Sequence, residues 1–321
     1  MPPRRVRPDT ATPLRPDPPP GPTPTDSMTT LFIGGGNMAS ALIGGLIARG
    51  RPAASIAVVE PLAAQRDRLA GRFPGVAVHA VVDADAARGA ALVVLAVKPQ
   101  QMREACEALA PFVSMPAAPP EALVAAPGGA SVVAPSPAPV GCVLSIAAGT
   151  RSADIARWLG GFDRVVRAMP NTPAMVGRGI AGVHAQPAVS PPQRADAAAV
   201  LEAGGDVVWV DSEAMLDAVT GVSGSGPAYV FYFLEALEAA ARAQGFAPAD
   251  ARRLAWATFD GAVALAKASA EDPATLRAQV TSKRGTTERG VAALDAAGVR
   301  DAIAAAVAAA TARAAELGAG K

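Results

Sequence analysis

The chain has 321 residues, which suggests two domains at the usual ~100–200 residues each and is long enough for a core without disulfide or metal staples. Lys and Arg number 29 against 28 Asp and Glu, a net charge of +1, so nothing draws the chain generally toward nucleic acid or an anionic membrane. Two cysteines (Cys106, Cys142) and two histidines (His79, His184) exclude a disulfide framework or Cys-rich zinc module, and argue against a His-based metal site or a Ser-His-Asp hydrolase. Hydride transfer from a bound cofactor fits a chain with so few titratable groups, because the cofactor carries the hard chemistry.

Residues 1–27 hold ten prolines, with Arg4, Arg5, Arg7 and Arg15 mixed among Asp9, Asp17 and Asp26. Such a segment has little apolar surface to offset its ordering entropy and is expected to be a disordered tail. It has no apolar stretch of the secretory kind, and Met28, where the ordered pattern opens, is the expected natural start. A cytoplasmic location is expected from the missing signals.

From Thr29 onward short apolar runs alternate with helical patterns. Strands are expected at Leu31–Ile33, Ile56–Glu60, Val76–His79, Leu92–Val97, Val143–Ala147 and Val165–Met169, and helices at Asn37–Arg49, Ala63–Arg72 and Gln101–Ala110. A small-residue strand carries His184. This alternation argues for a parallel α/β sheet. Residues 113–140, with seven prolines, eight alanines and the single charge Glu121, interrupt it and read as a disordered insert. After Asp211 only helical patterns remain: Met215–Val222, Ala228–Gln244, Asp250–Ala270, Thr275–Thr281, Thr287–Ala297 and Asp301–Leu317. The stretch Tyr229–Leu234 is apolar almost all round, a pattern that calls for burial on every side and, in so small a domain, partly by another subunit. No run approaches the ~20 apolar residues of a transmembrane helix.

Five motifs carry chemistry. Gly34, Gly36 and Ala39 form G-x-G-x-x-A between a strand and a helix. The first glycine suits a tight turn, the second a close approach of pyrophosphate, and the alanine close helix–strand packing. Glu60 ends the next strand, where an acid reads the ribose 2′-hydroxyl and favours NADH, while Arg66 and Arg68 stand near enough in sequence to reach a 2′-phosphate. Ala96-Val97-Lys98-Pro99 ends the longest apolar strand, and Ile146-Ala147-Ala148-Gly149 and Met169-Pro170-Asn171-Thr172-Pro173 end later ones. Ligands of open α/β sheets bind at that edge. Val222-Ser223-Gly224-Ser225-Gly226-Pro227-Ala228 and Thr281–Glu288 each open a helix, and the second offers hydroxyls and bare N–H groups to a small carboxylate. Each of these last two also reads as ordinary helix capping.

Taken in order, G-x-G-N-M-A, A-V-K-P, S-I-A-A-G, M-P-N-T-P, S-G-S-G-P-A-Y and T-S-x-x-G-T-T make a chain that strongly resembles the pyrroline-5-carboxylate reductase family over about 28–112 and 141–318. The resemblance implies an N-terminal Rossmann dinucleotide-binding domain, here 28–211, and a C-terminal all-helical substrate and dimerisation domain, here 212–321. It implies reduction of 1-pyrroline-5-carboxylate to L-proline by NADPH or NADH, with hydride going to C5 of the cyclic imine and no metal. It also implies a homodimer that can assemble to a decamer, with the active site between the dinucleotide domain and helices of the dimer. By the same resemblance Ile33, Gly34, Gly35, Gly36, Asn37 and Met38 hold the pyrophosphate and Glu60 sits where the 2′ position is read. Ala96, Val97, Lys98, Pro99, Ile146, Ala147 and Ala148 line the ribose and nicotinamide. Ser282, Gly285 and Thr286 bind the substrate carboxylate, and Thr287 contacts the imine nitrogen, orienting it rather than protonating it, because a neutral threonine is a poor acid.

Three departures stand out. Arg284 occupies a position where the family has glycine, and is expected to be strained if that position needs positive φ, or to add attraction for the carboxylate. Asp83 stands where an adenosine-contacting Asn is common, and the 113–140 insert is not a family feature. Two other readings share the sequence pattern: a related β-hydroxyacid dehydrogenase or imine reductase, and a non-catalytic dinucleotide-binding regulator.

Overall fold

The structure is a computed structural model and describes residues 29–87, 89–113 and 140–320. The tail over 1–27, Met28 and nearly all of the insert therefore lie outside the described residues. In the first part β1 (Thr29–Ile33), α1 (Asn37–Ala48), β2 (Ile56–Val59), α2 (Ala63–Arg72), β3 (Ala77–His79), the short α3 (Ala84–Ala87), β4 (Ala90–Leu95) and α4 (Met102–Val113) follow one another. Next come β5 (Cys142–Ser145), α5 (Ser152–Trp158), β6 (Val165–Pro170), β7 (Gly179–Ala185), α6 (Pro191–Glu202) and β8 (Gly205–Trp209). The strands form one sheet in the order β3-β2-β1-β4-β5-β6-β7-β8.

Strand alternation divides the core between the two faces of this sheet. Phe32 of β1 and Leu92 and Val94 of β4 point to the face covered by Leu42 and Ile43 of α1 and Val200 of α6. Leu31, Ile33, Val93 and Leu95 point to the other, against Met102 and Leu109 of α4 and Ile155 of α5. Cover on both sides is why Leu92–Leu95 read as an unbroken apolar run.

The sheet differs from the expected all-parallel form at one place. β7 runs antiparallel to β6, pairing Arg167 with His184 and Met169 with Gly182. Between Pro170 and Gly179 the chain makes only a 3-10 turn, Thr172–Val176. A parallel return needs a crossover of a dozen or more residues, so the chain must double back. β8 then pairs parallel with β7 after the helical crossover α6.

Beyond β8 the described chain is helical: α7 (Met215–Val219), a π-helical turn (Thr220–Gly224), α8 (Gly226–Ala243), α9 (Pro248–Ala268), α10 (Pro273–Gln279), α11 (Thr286–Ala296) and α12 (Val299–Gly318). Pro227 and Pro248 sit in first turns, where their missing N–H costs nothing, and Gly298 ends α11 at φ +68°. Helix α8 has no buried residue. Phe231 is 65% and Tyr232 71% exposed, and Trp256 and Leu265 of α9 are bare as well. Their apolar character is not answered within one chain.

A charged seam joins the two parts. Glu213 Oε1 accepts from Ser152 N at 2.6 Å, Ser152 Oγ at 2.9 Å and Arg167 Nη1 at 2.7 Å. Burial pushes the Glu213 carboxyl up, but the Ser152 N–H, the Arg167 guanidinium and the Ser152 hydroxyl outweigh it and hold it below the ordinary value. Beside it Arg151 Nη2 meets Asp217 Oδ2 at 2.8 Å.

Candidate active site

The C-terminal edge of β1, β2 and β4 opens into a cleft of about 560 Å³ lined by Ile33, Gly34, Gly35, Gly36, Glu60, Ala96, Val97 and Lys98, together with residues of the β2–α2 and β3–α3 connections and of α4. Asn37 and Met38 lie in the first turn of α1, next to it in sequence, and Pro99 follows Lys98. Ile146, Ala147 and Ala148 leave the end of β5, further along the same edge, where the Ile146 N–H donates to Leu95 O at 3.1 Å.

Each glycine of the loop answers a different demand. Gly34 has φ +99°, and a Cβ there would stand 2.7 Å from Ala96 O, so the turn can only be glycine. A Cβ on Gly35 would collide with the Leu69 side chain. Gly36 has nothing within 4 Å of a Cβ position; the space it leaves opens on the cleft. It is also the N-cap of α1 and supplies no side-chain cap. The uncapped N–H groups and the bare approach are what a dinucleotide pyrophosphate needs, so the residues present fit an NAD(P)H cofactor.

Glu60 is 8% exposed. Its Oε2 accepts from Gly35 N and its Oε1 from Leu62 N, both at 3.0 Å. The carboxylate thus ties the glycine loop to the β2–α2 turn, a task the sequence reading did not assign. Each oxygen keeps a second lone-pair direction. Gln65 Nε2 reinforces the tie through Gly35 O at 2.7 Å. Arg66 Nη1 donates to Glu60 O at 2.9 Å and Pro61 O at 2.7 Å, which holds that guanidinium over the end of β2. Asp83 Oδ1 accepts from Ala86 N at 2.8 Å, so it caps α3.

The second constellation is separate. Ser282, Thr286 and Thr287 are exposed and Gly285 is half-buried, in the loop that enters α11. Gly285 is the N-cap, so the capping role offered as the plain reading of the threonines does not fall to them. Glu288 Oε2 accepts from Arg284 N at 2.7 Å instead. A Cβ on Gly285 would collide with Ser282 Oγ. Arg284 has φ +61°, and among the described residues no other non-glycine has positive φ. The expected strain at this departure from glycine is therefore present. No residue lining the cleft comes from this loop; within one chain the two constellations are not brought together.

Among the described residues no group of three or more His, Cys, Asp or Glu is placed to hold a metal ion. Burial raises both thiols, Cys106 and Cys142, to about 12.

Residues 213–317 match the family described as pyrroline-5-carboxylate reductase dimerisation, and residues 29–115 match one described as NADP oxidoreductase coenzyme F420-dependent. A pyrroline-5-carboxylate reductase of Pseudomonas aeruginosa is 43% identical over 286 residues, covering 89% of this chain and 95% of that protein. One from Synechocystis is 41% identical, covering 89% and 97%. Among solved structures, a pyrroline-5-carboxylate reductase from Coxiella burnetii superposes with a TM-score of 0.79 at 35% identity, over 91% of this chain and 98% of that one. With an uncapped glycine loop at the sheet edge, a hydroxyl-rich loop before α11 and kinship along nearly the whole length, the chain belongs to the pyrroline-5-carboxylate reductase family.

Proposed function

We propose that two copies of the chain build each active site, the cofactor cleft coming from one and the Thr281–Glu288 loop from the other. The reaction is reduction of 1-pyrroline-5-carboxylate to L-proline with NAD(P)H, the last step of proline biosynthesis. When bound, the cofactor supplies the hydride that reaches C5 of the cyclic imine. The observation that carries the two-copy site is that the cleft is lined without any residue of the loop, while the loop stands exposed on helices whose apolar faces are bare.

In this reading the backbone from Ile33 to Met38 holds the pyrophosphate. Ala96 to Pro99 and Ile146 to Ala148 flank the ribose and nicotinamide. The free lone pairs of Glu60 accept from a ribose 2′-hydroxyl, and its buried negative charge opposes a 2′-phosphate. Arg66 is committed to two carbonyls, so the balance favours NADH over NADPH. Ser282, Gly285 and Thr286 hold the substrate carboxylate at the N-terminus of α11. Thr287 turns its hydroxyl to the imine nitrogen and orients it; solvent protonates the imine before hydride moves. Residues 28–211 act as the dinucleotide-binding unit and 212–321 as the substrate and dimerisation unit. Dimers assemble further to a decamer. No helix of the described residues is long and apolar enough to cross a membrane, and the enzyme works in the cytoplasm.

Complementation tests the shared site. Gly34→Val damages the cleft and Thr287→Ala the loop. Co-expressed, they should recover about a quarter of wild-type activity, because half of randomly paired dimers are mixed and each has one intact site of two. Activity no greater than the sum of the separate variants would place cleft and loop of each site in the same copy. Thr287→Ala alone should lower turnover with little change in cofactor affinity. The ratio of kcat/KM for NADH and NADPH decides what Glu60 does.

A further inference from the structure

The motifs around Asn171 and Ser223 are separate in sequence, and one side chain joins them. Asn171 lies just past β6 and is 9% exposed. Its Nδ2 donates to Ser223 O at 3.1 Å, across a separation of 52 residues. Its Oδ1 accepts from Ile180 N of β7 at 2.9 Å. The donor an α-helix would offer the Ser223 carbonyl is the N–H of residue 227, and that residue is Pro227. The next N–H, of Ala228, is spent on Ser225 O at 3.0 Å. Asn171 thus supplies from the sheet the donor that the helix lacks.

The segment so held is the π-helical turn. Ser225 N donates five residues back to Thr220 O at 2.8 Å, Ser223 Oγ donates to Val219 O at 3.1 Å, and Tyr229 Oη donates to Gly221 O at 3.2 Å. The turn is wedged in place: a Cβ on Gly224 would stand 2.6 Å from Met169 Cε, and one on Gly221 2.8 Å from Val307 O of α12. β6 pairs with β5, so the turn meets the sheet beside the strand end from which the Ile146–Ala148 loop leaves. Single π-turns inside helices recur at functional sites.

We propose that Asn171 is a positioning residue for imine reduction: through the Ser223 carbonyl it fixes the π-turn against the end of β6, as the wall of the site at the nicotinamide end of the cleft. This rests on the assignment of Ile146 to Ala148 to that end. Both ends of the Asn171 amide are engaged by the chain's own backbone. The two ends of its amide divide the work, the acceptor bracing β7 and the donor setting the turn.

Asn171→Asp, measured at pH 8, separates the two. The carboxylate still accepts from Ile180 N–H, but it turns an oxygen toward Ser223 O where a donor had been. Amide exchange of a peptide spanning 219–226 in the cofactor-free protein should quicken at least tenfold, and kcat should fall at least tenfold. Thermal stability should stay close to wild type and the Kd for NADH or NADPH, read by fluorescence, within twofold. Should that variant fail to fold, Asn171→Ser, too short to reach either partner, is used instead, and its exchange and kcat ratios are read the same way. Exchange and kcat within twofold of wild type would overturn the proposal. So would a loss of kcat matched by equal losses of stability and cofactor affinity, since that is what a merely structural asparagine predicts. Wild-type protein that exchanges as expected but turns over no imine would sink the active-site reading and leave the Asn171–Ser223 tie standing.

Discussion

The sheet half and the helical half treat their apolar side chains differently. Leu92 to Leu95 of β4 and Leu42 and Ile43 of α1 are 0% exposed, closed in by helices of the same chain on both faces. In α8, Phe231 and Tyr232 face outward, and an apolar groove of about 370 Å³ runs between Tyr229, Tyr232 and Phe233 and the residues Val299, Ile303 and Ala306 of α12. The first half is finished by its own sequence; the second is written for a homo-oligomer, in keeping with its match to a dimerisation family. The same contrast runs through the chemistry. In the proposed site the cleft at the glycine loop comes from one chain, and the Thr281–Glu288 loop waits on another.

The largest effect should come from breaking the helical half alone. Phe231→Glu with Tyr232→Glu places charges on that face, which a desolvated interface cannot accept without several kcal/mol of cost. We expect monomers by light scattering, activity down more than a hundredfold and cofactor affinity little changed. Cofactor binding lost together with activity would mean that the halves are not independent.

The seam between the halves comes next. Glu213→Gln leaves the 3% exposed Arg167 without its counter-charge, and Arg167 Nε already has no partner. The loss should be about 3 kcal/mol, the scale for stripping one member from a buried pair. The folded-state pKa of Glu213 is depressed, so its stabilisation is present above the unfolded carboxylate value and lost as pH falls through the folded one. Acid melting of wild type should therefore steepen below about pH 4, the ordinary glutamate range, and the variant should lose that component. Identical acid profiles would remove Glu213 from the seam.

A smaller effect should appear at the Thr281–Glu288 loop. Arg284→Gly relieves a left-handed residue worth about 1 kcal/mol of strain, partly offset by the freer unfolded chain. Melting should rise slightly, while KM for the imine rises a few-fold as the guanidinium is lost. A variant with unchanged KM would show that the arginine is merely tolerated. Smallest of all, Cys106 and Cys142 should resist alkylation at pH 8 in the folded protein, since burial keeps both thiols protonated.

What sequence made legible follows the same line between local and distant causes. The glycine loop, the strand runs and the helices after Asp211 are local patterns, and their boundaries shift by only a residue or two in most elements. Arg284 is readable as a departure because the family it resembles has glycine there, and its φ of +61° answers the strain expected of that exchange. The direction of β7 is not readable, because it is set by how few residues separate Pro170 from Gly179 rather than by anything in the strand. Nor could Glu60 be seen bracing Gly35, or Asn171 answering Pro227. In both cases the partner lies on another element, and only the packing of the sheet brings them within reach.

The helix α4 ends at Val113 and the chain re-enters at Val140, residues 3% and 1% exposed that belong to the same packed core. Just downstream, Gly141 N donates to Ala91 O at 3.1 Å, and Gln193, a member of the capping box of α6, donates through Nε2 to Gly141 O at 2.5 Å. Both banks of residues 114–139 are thus moored by contacts outside that span. Loop-closure cost grows only with the logarithm of length, so this is a place where a lineage can lengthen or shorten its chain without disturbing the reaction, and where an engineer can splice in a reporter.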